Sequence, residues 1–251
     1  MRSLIAKLRF CAVILSMTLL FFGVLILNKL CRKCLLHQFR VLWAKCLIAS
    51  TGAKLTVTGY KVSKQDLHNA MIVSNHISWL DTVVMLRLYY VRYVGKIEML
   101  KWPLLNSMIK AGGTIFIDRK NKKDILKVNQ QVAEILQQGA TVGLYPEGKT
   151  TLGHDVGQFK APILEAAIMA KSTIIPLVLS YRKNDNQPAP EVSFANVGWL
   201  QTVMNTLHLK NLHINVTVLP PVHAAEFKNR EELNSYLHQQ IRNTYLAPNS
   251  N

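Results

Sequence analysis

Met71-Ile72-Val73-Ser74-Asn75-His76-Ile77-Ser78-Trp79-Leu80-Asp81 passes from an apolar run through polar residues into a helical pattern. Met71–Ser74 has the length and bounds of a buried strand, and Asp81–Tyr89 carries a helical pattern after it. Polar residues that close a strand and open a helix line the crevice where α/β proteins bind ligands. His76 and Asp81 are five positions apart. On one regular helix that spacing separates them by about 140°. They meet only when His76 stands in the turn ahead of the helix, with Ser78 as N-cap candidate and Asp81 in the first helical turn. A carboxylate that holds an imidazole fixes its tautomer, which is the arrangement of a general base. Ser78-x-x-Asp81 is equally a capping pattern, in which Asp81 only closes the helix end.

Around this stretch, short apolar runs alternate with amphipathic ones. Further strands are expected at Lys54–Thr58, Arg92–Val94, Thr114–Ile117, Thr141–Tyr145, Thr173–Leu179 and Asn211–Leu219. Helices are expected from Asn121 to Gln138, stopped by Gly139, from Pro162 to Lys171, and over Ala225–Tyr245. Trp199, Leu200, Val203, Met204 and Leu207 also fit an apolar helix, facing either the core or lipid. This alternation predicts an α/β domain, residues 53–251, with a central mixed sheet and flanking helices.

Residues 1–52 are of another kind. Phe10–Leu27 is an uncharged run of 18 residues, close to the roughly 20 that span a bilayer. Asn28-Lys29-Leu30-Cys31-Arg32-Lys33 follows it in place of a small-residue cleavage site, so the run is expected to stay as an anchor. Basic residues on both sides fit a helix that enters and leaves one leaflet as well as one that spans. Leu35, Phe39, Leu42 and Cys46 form an apolar stripe opposite Lys33, His37 and Arg40, which suits a membrane interface or a helix packed on the domain. The predicted architecture therefore begins with a membrane-associated helical segment.

The chain carries 30 basic and 14 acidic residues, a formal charge of +16. Its partners are expected to be anionic. Arg2, Lys7, Arg9, Lys29, Arg32, Lys33 and Arg40 crowd about the apolar run, and the first acidic residue is Asp66. That placement points to lipid headgroups rather than nucleic acid, for which no groove-reading motif is present. Cys11, Cys31, Cys34 and Cys46 all precede residue 50. Cys31 and Cys34 alone are too few for a zinc site, and no thiol lies in the α/β domain to act as a nucleophile.

Two more polar clusters follow apolar strands. In Gly112-Gly113-Thr114-Ile115-Phe116-Ile117-Asp118-Arg119-Lys120, Arg119 could fork onto a phosphate or sit solvated in a loop. In Leu144-Tyr145-Pro146-Glu147-Gly148-Lys149-Thr150, a carboxylate and a cation flank a flexible glycine, which taken singly is an ordinary turn.

Together these stretches resemble the glycerolipid acyltransferases, the lysophosphatidic acid acyltransferase group. His76-Ile77-Ser78-Trp79-Leu80-Asp81 resembles the family's HX4D signature. Gly113–Arg119, Tyr145–Gly148 and Ile175-Pro176-Leu177-Val178 resemble its three further blocks, in order across roughly residues 55–220. The resemblance implies that His76 deprotonates an acceptor hydroxyl while Asp81 orients it. The alkoxide then attacks the thioester of acyl-CoA or acyl carrier protein, with no metal, other cofactor or acyl-enzyme. It implies an acceptor site at Arg119, Glu147, Gly148 and Lys149, with Lys96, Lys120 and Lys160 as weaker phosphate contacts. The implied product is phosphatidic acid from 1-acylglycerol-3-phosphate, made at the cytoplasmic face of a membrane. Lys149-Thr150 stands where many members have Thr then Arg, and Ala161-Pro162 replaces a small continuation after Phe159-Lys160. These departures keep open another lysolipid acceptor, such as lyso-ornithine lipid. A non-catalytic basic lipid-binding protein would explain the charge but not the ordered blocks.

Overall fold

The computed structural model describes residues 2–29, 33–101, 113–118, 121–160, 162–195 and 197–247. Arg119, Lys120 and Cys31 lie outside them. Two helices, α1 (Arg2–Lys29) and α2 (Lys33–Thr51), lead into β1 (Lys54–Gly59). Then come β2 (Ala70–Ser74), α3 (Leu80–Leu88), β3 (Arg92–Lys96), β4 (Ile115–Ile117), α4 (Lys122–Gln137), β5 (Thr141–Leu144) and α5 (Leu164–Ala170). The chain closes with β6 (Thr173–Arg182), α6 (Trp199–His208), β7 (His213–Val218), β8 (Val222–His223) and α7 (Arg230–Leu246).

The strands form one mixed sheet in the order β1-β7-β6-β2-β5-β3-β4, with β8 on β6. β2 is central and buried at every position, which is why its sequence is an unbroken apolar run. It runs parallel to β5 and β6. β6 and β7 are antiparallel, and β1 is parallel to β7. The start of β1 at Lys54 therefore sits beside His213 and Arg182, at the end of the sheet where β2 delivers His76.

Helix ends follow local chemistry where a cap is present. The Asn121 side chain accepts from Lys123 N–H and Asp124 N–H to open α4, and Gly139 at φ 86° closes it. Val128 and Val132 face the core, as the spacing predicts. Other boundaries moved. The last helix begins at Arg230, not near Ala225, because Asn229 caps it by accepting from Glu232 N–H. Pro162 precedes α5 by a turn. β6 continues three residues beyond Leu179, where Ser180, Tyr181 and Arg182 pair with β7.

Val13 of α1 and Ala44, Leu47 and Ile48 of α2 belong to the same core as the sheet. The two helices are antiparallel: Trp43 donates its indole N–H to the Ser16 carbonyl at 2.9 Å. Arg9 turns inward to the Leu207 and Leu209 carbonyls, both at 3.1 Å, so it caps the negative end of α6 rather than meeting headgroups. The other side of α1 is bare, with Leu4, Leu8, Leu15, Leu19 and Ile26 each more than half exposed. Among the described residues, no helix is long and apolar enough to cross a membrane.

Candidate active site

β2 ends at Ser74, and the next residues form a tight turn before α3. Asn75 pins this turn to β6: its side-chain amide donates to the Leu179 carbonyl and accepts from Leu179 N–H. His76 Nδ1 lies 2.6 Å from Asp81 Oδ2. An ionised carboxylate only accepts, so Nδ1 carries the proton and Nε2 keeps its lone pair. The same Asp81 oxygen accepts from Ile77 N–H at 2.7 Å and Ser78 N–H at 2.9 Å. α3 opens at Leu80, with no side-chain cap at Trp79. Ser78, the expected N-cap, sits one residue earlier and accepts from Leu80 N–H, while its hydroxyl donates to the Val192 carbonyl. Closing the turn and holding the imidazole are thus done by one carboxylate. Asp81 is fully buried and His76 is 18% exposed, so the pair is anchored inside and reachable from outside.

Aromatic rings fix the imidazole plane. Tyr145 stacks on His76 with centroids 4.3 Å apart, and Phe194 meets it edge-on at 6.2 Å. Beneath, Glu147 Oε1 accepts from His76 N–H at 2.7 Å, and Oε2 accepts from Gly157 N–H at 3.0 Å. A Cβ at Gly157 would collide with that carboxylate, so the approach requires glycine. Burial pushes Glu147 up to about 7 against the two backbone bonds that favour its anion. The loop after Glu147 returns to the turn: Thr151 N–H donates to the His76 carbonyl at 2.9 Å, and Ser193 donates to the Thr151 carbonyl. One stripe of α7 straps this loop from outside. Asn234 donates to the Phe159 carbonyl, Arg242 grips Asp155 with two nitrogens, and Tyr245 donates to the Gly153 carbonyl.

An imidazole held by a buried carboxylate and partly exposed to solvent can take a proton from a hydroxyl. Comparison with known proteins gives this chemistry a context. A family model described as Acyltransferase matches residues 54–180. The chain belongs to the acyltransferase family. It is 31% identical over 175 residues to a 1-acyl-sn-glycerol-3-phosphate acyltransferase of Neisseria gonorrhoeae, covering 70% of this chain and 69% of that one. It is 26% identical over 200 residues to a lyso-ornithine lipid O-acyltransferase of Pseudomonas aeruginosa, covering 80% and 75%. The crystal structure of the 1-acyl-sn-glycerophosphate (LPA) acyltransferase PlsC of Thermotoga maritima superposes with a TM-score of 0.72 at 18% identity, over 98% of this chain and 96% of that one. At that identity the likeness is one of fold.

In this acyltransferase the residues expected at the site are brought together unevenly. His76, Asp81 and Glu147 share one hydrogen-bonded unit. Gly148 makes the turn at φ 70°, and Lys149 is exposed beyond it. Lys96 and Lys160 are exposed, and Lys160 N–H closes the loop on the Pro146 carbonyl. Arg119 and Lys120 lie outside the described residues. Asn75, Tyr145, Thr151 and Tyr181 hold the unit without having been singled out. Tyr181 lies beyond the strand expected at Thr173–Leu179, in the part of β6 that pairs with β7.

Proposed function

We propose that this acyltransferase moves a fatty acyl group from acyl-CoA or acyl carrier protein to the free hydroxyl of 1-acylglycerol-3-phosphate, giving phosphatidic acid. The observation that carries the chemistry is the 2.6 Å contact of His76 Nδ1 with Asp81, which leaves the Nε2 lone pair free on a side chain that is 18% exposed. His76 Nε2 takes the acceptor's hydroxyl proton. The oxygen attacks the thioester carbonyl, the carbon–sulfur bond breaks, and the imidazolium returns the proton to the leaving thiolate. The acceptor assignment rests on the Neisseria relative's name. Lyso-ornithine lipid is the second reading, supported by the Pseudomonas relative.

The same proposal seats α1 along the cytoplasmic face of a membrane, where soluble acyl thioesters are at hand. Its support is the helix's asymmetry, with Ala6 and Val13 buried against the protein and the opposite leucines bare.

The test is acyl transfer by the purified chain, offered acyl-CoA or acyl carrier protein with a panel of lysolipids. Lysophosphatidate is expected to be consumed fastest, and H76A to lower transfer by about 10²–10⁴-fold while still binding vesicles. An unacylated lysophosphatidate beside an acylated lyso-ornithine lipid would replace the acceptor. Wild-type rates in H76A would remove His76 as the base.

A further inference from the structure

The Asp81 carboxylate has two oxygens with different work. Oδ2 carries His76, Ile77 and Ser78. Oδ1 accepts the Tyr181 hydroxyl at 2.6 Å. Tyr181 is 2% exposed, on β6, and reaches Asp81 across 100 positions of sequence. Turning the carboxylate about its terminal torsion, a soft one in itself, moves both oxygens together. Bonded at both, it cannot turn without breaking a charge-assisted hydrogen bond. The phenol also draws charge from the carboxylate, so less remains to stabilise an imidazolium. Burial first, and then the charge of Asp81, hold the Tyr181 phenol well above its usual range, so it stays a neutral donor.

We propose that Tyr181 is a positioning residue of the catalytic unit: its hydroxyl helps to hold Asp81 against rotation and tempers its charge, which keeps the His76 imidazole aligned. This rests on the functional reading above for the proton's origin, but the effect on His76 itself does not. The titratable groups that face the pair are Glu147, Tyr145, Tyr93, Tyr181 and Tyr245. Burial pushes Glu147 up to about 7, so an inflection from it belongs to wild type and variant alike, and the difference between the two proteins is the signal.

The variant is Y181F, which keeps the ring and removes one oxygen. Its His76 pKa is read by NMR on histidine-labelled full-length protein, with the resonance assigned through H76A. It is expected to rise by about half a unit to one unit, because an unshared carboxylate favours the imidazolium. The acid limb of kcat/KM moves to higher pH by the same amount, kcat falls about tenfold, and the acceptor's KM stays within about twofold. A structural role alone would lower the melting temperature and leave both pH readings in place; unmoved values overturn the proposal. A second comparison, D81A against D81A/Y181F, starts from a protein in which the phenol has already lost its acceptor, and the double variant leaves neither partner of the bond buried alone. The two are expected to be equally slow, and a further loss in the double variant means that Tyr181 acts elsewhere. A wild type that acylates no lysolipid sinks the functional reading, while the NMR comparison still decides on Tyr181.

Discussion

Glu147 is the acidic residue whose environment departs furthest from what its local sequence suggests. Beside a glycine in a turn it reads as a ligand-facing carboxylate, yet both of its oxygens hold backbone N–H groups. Burial raises it from 4.5 to about 7. A free glutamate ionises near 4.5, so between 4.5 and 7 the folded chain holds a proton that the unfolded chain has released. The stability from this group is complete below 4.5, falls as pH rises through 7, and is flat above. Over that window the wild-type melting temperature is expected to drop about 5 °C more than that of E147Q, which has no proton to lose. Identical pH slopes in the two proteins would show that Glu147 is not buried in its acid form. His76 and Asp81 were legible because spacing alone requires the turn that joins them. The backbone partner of Glu147 and the part played by Tyr181 were not, because the contacts span 71 and 100 positions and no local pattern encodes a strand's neighbour.

At the scale of elements, periodicity placed the strands and the amphipathic helix α4, since burial repeats within a window that a sequence displays. What it misplaced were ends decided by tertiary contact. α3 starts at Leu80, one residue ahead of the expected Asp81, and Ser78 stands one residue before the cap position with its hydroxyl on the Val192 carbonyl. β6 runs long because its last residues pair with β7 rather than bending away. The order of the sheet was likewise out of reach, since pairing partners come from opposite parts of the chain. α7 shows how an outer element can act on the site. Its stripe of Asn234, Arg242 and Tyr245 holds the loop that touches His76 and Glu147. The Arg242–Asp155 pair is nearly half exposed, so its loss should be felt locally rather than by the whole fold. R242A is expected to raise the acceptor's KM about threefold with little change in melting temperature. The swap D155R/R242D should recover part of it. An unchanged KM in R242A would show that the loop keeps its shape without the strap.

For the whole molecule, the bare leucines and isoleucine of α1 lie along a line from Leu4 to Ile26, about 33 Å of helix. Seated in a leaflet as proposed, they bury apolar area that the protein leaves open. L15E/L19E is expected to weaken binding to vesicles of anionic phospholipid by about tenfold or more, while transfer to a short-chain, water-soluble lysolipid continues. Undiminished vesicle binding would move the membrane contact away from this helix.

The antiparallel step between β6 and β7 sets where the two N-terminal helices join the sheet. Because it turns β1 around, the junction of α2 with β1 falls at the end of the sheet that carries His76. With α1 seated as proposed, the bilayer edge and the reacting hydroxyl are neighbours. A lysolipid would reach the imidazole by rising partway out of its own monolayer, with its tail still solvated by other tails. Encounter then becomes lateral diffusion in a plane. Turnover would follow the mole fraction of acceptor in the surface, and adding inert phospholipid would slow the enzyme although the bulk concentration stayed the same.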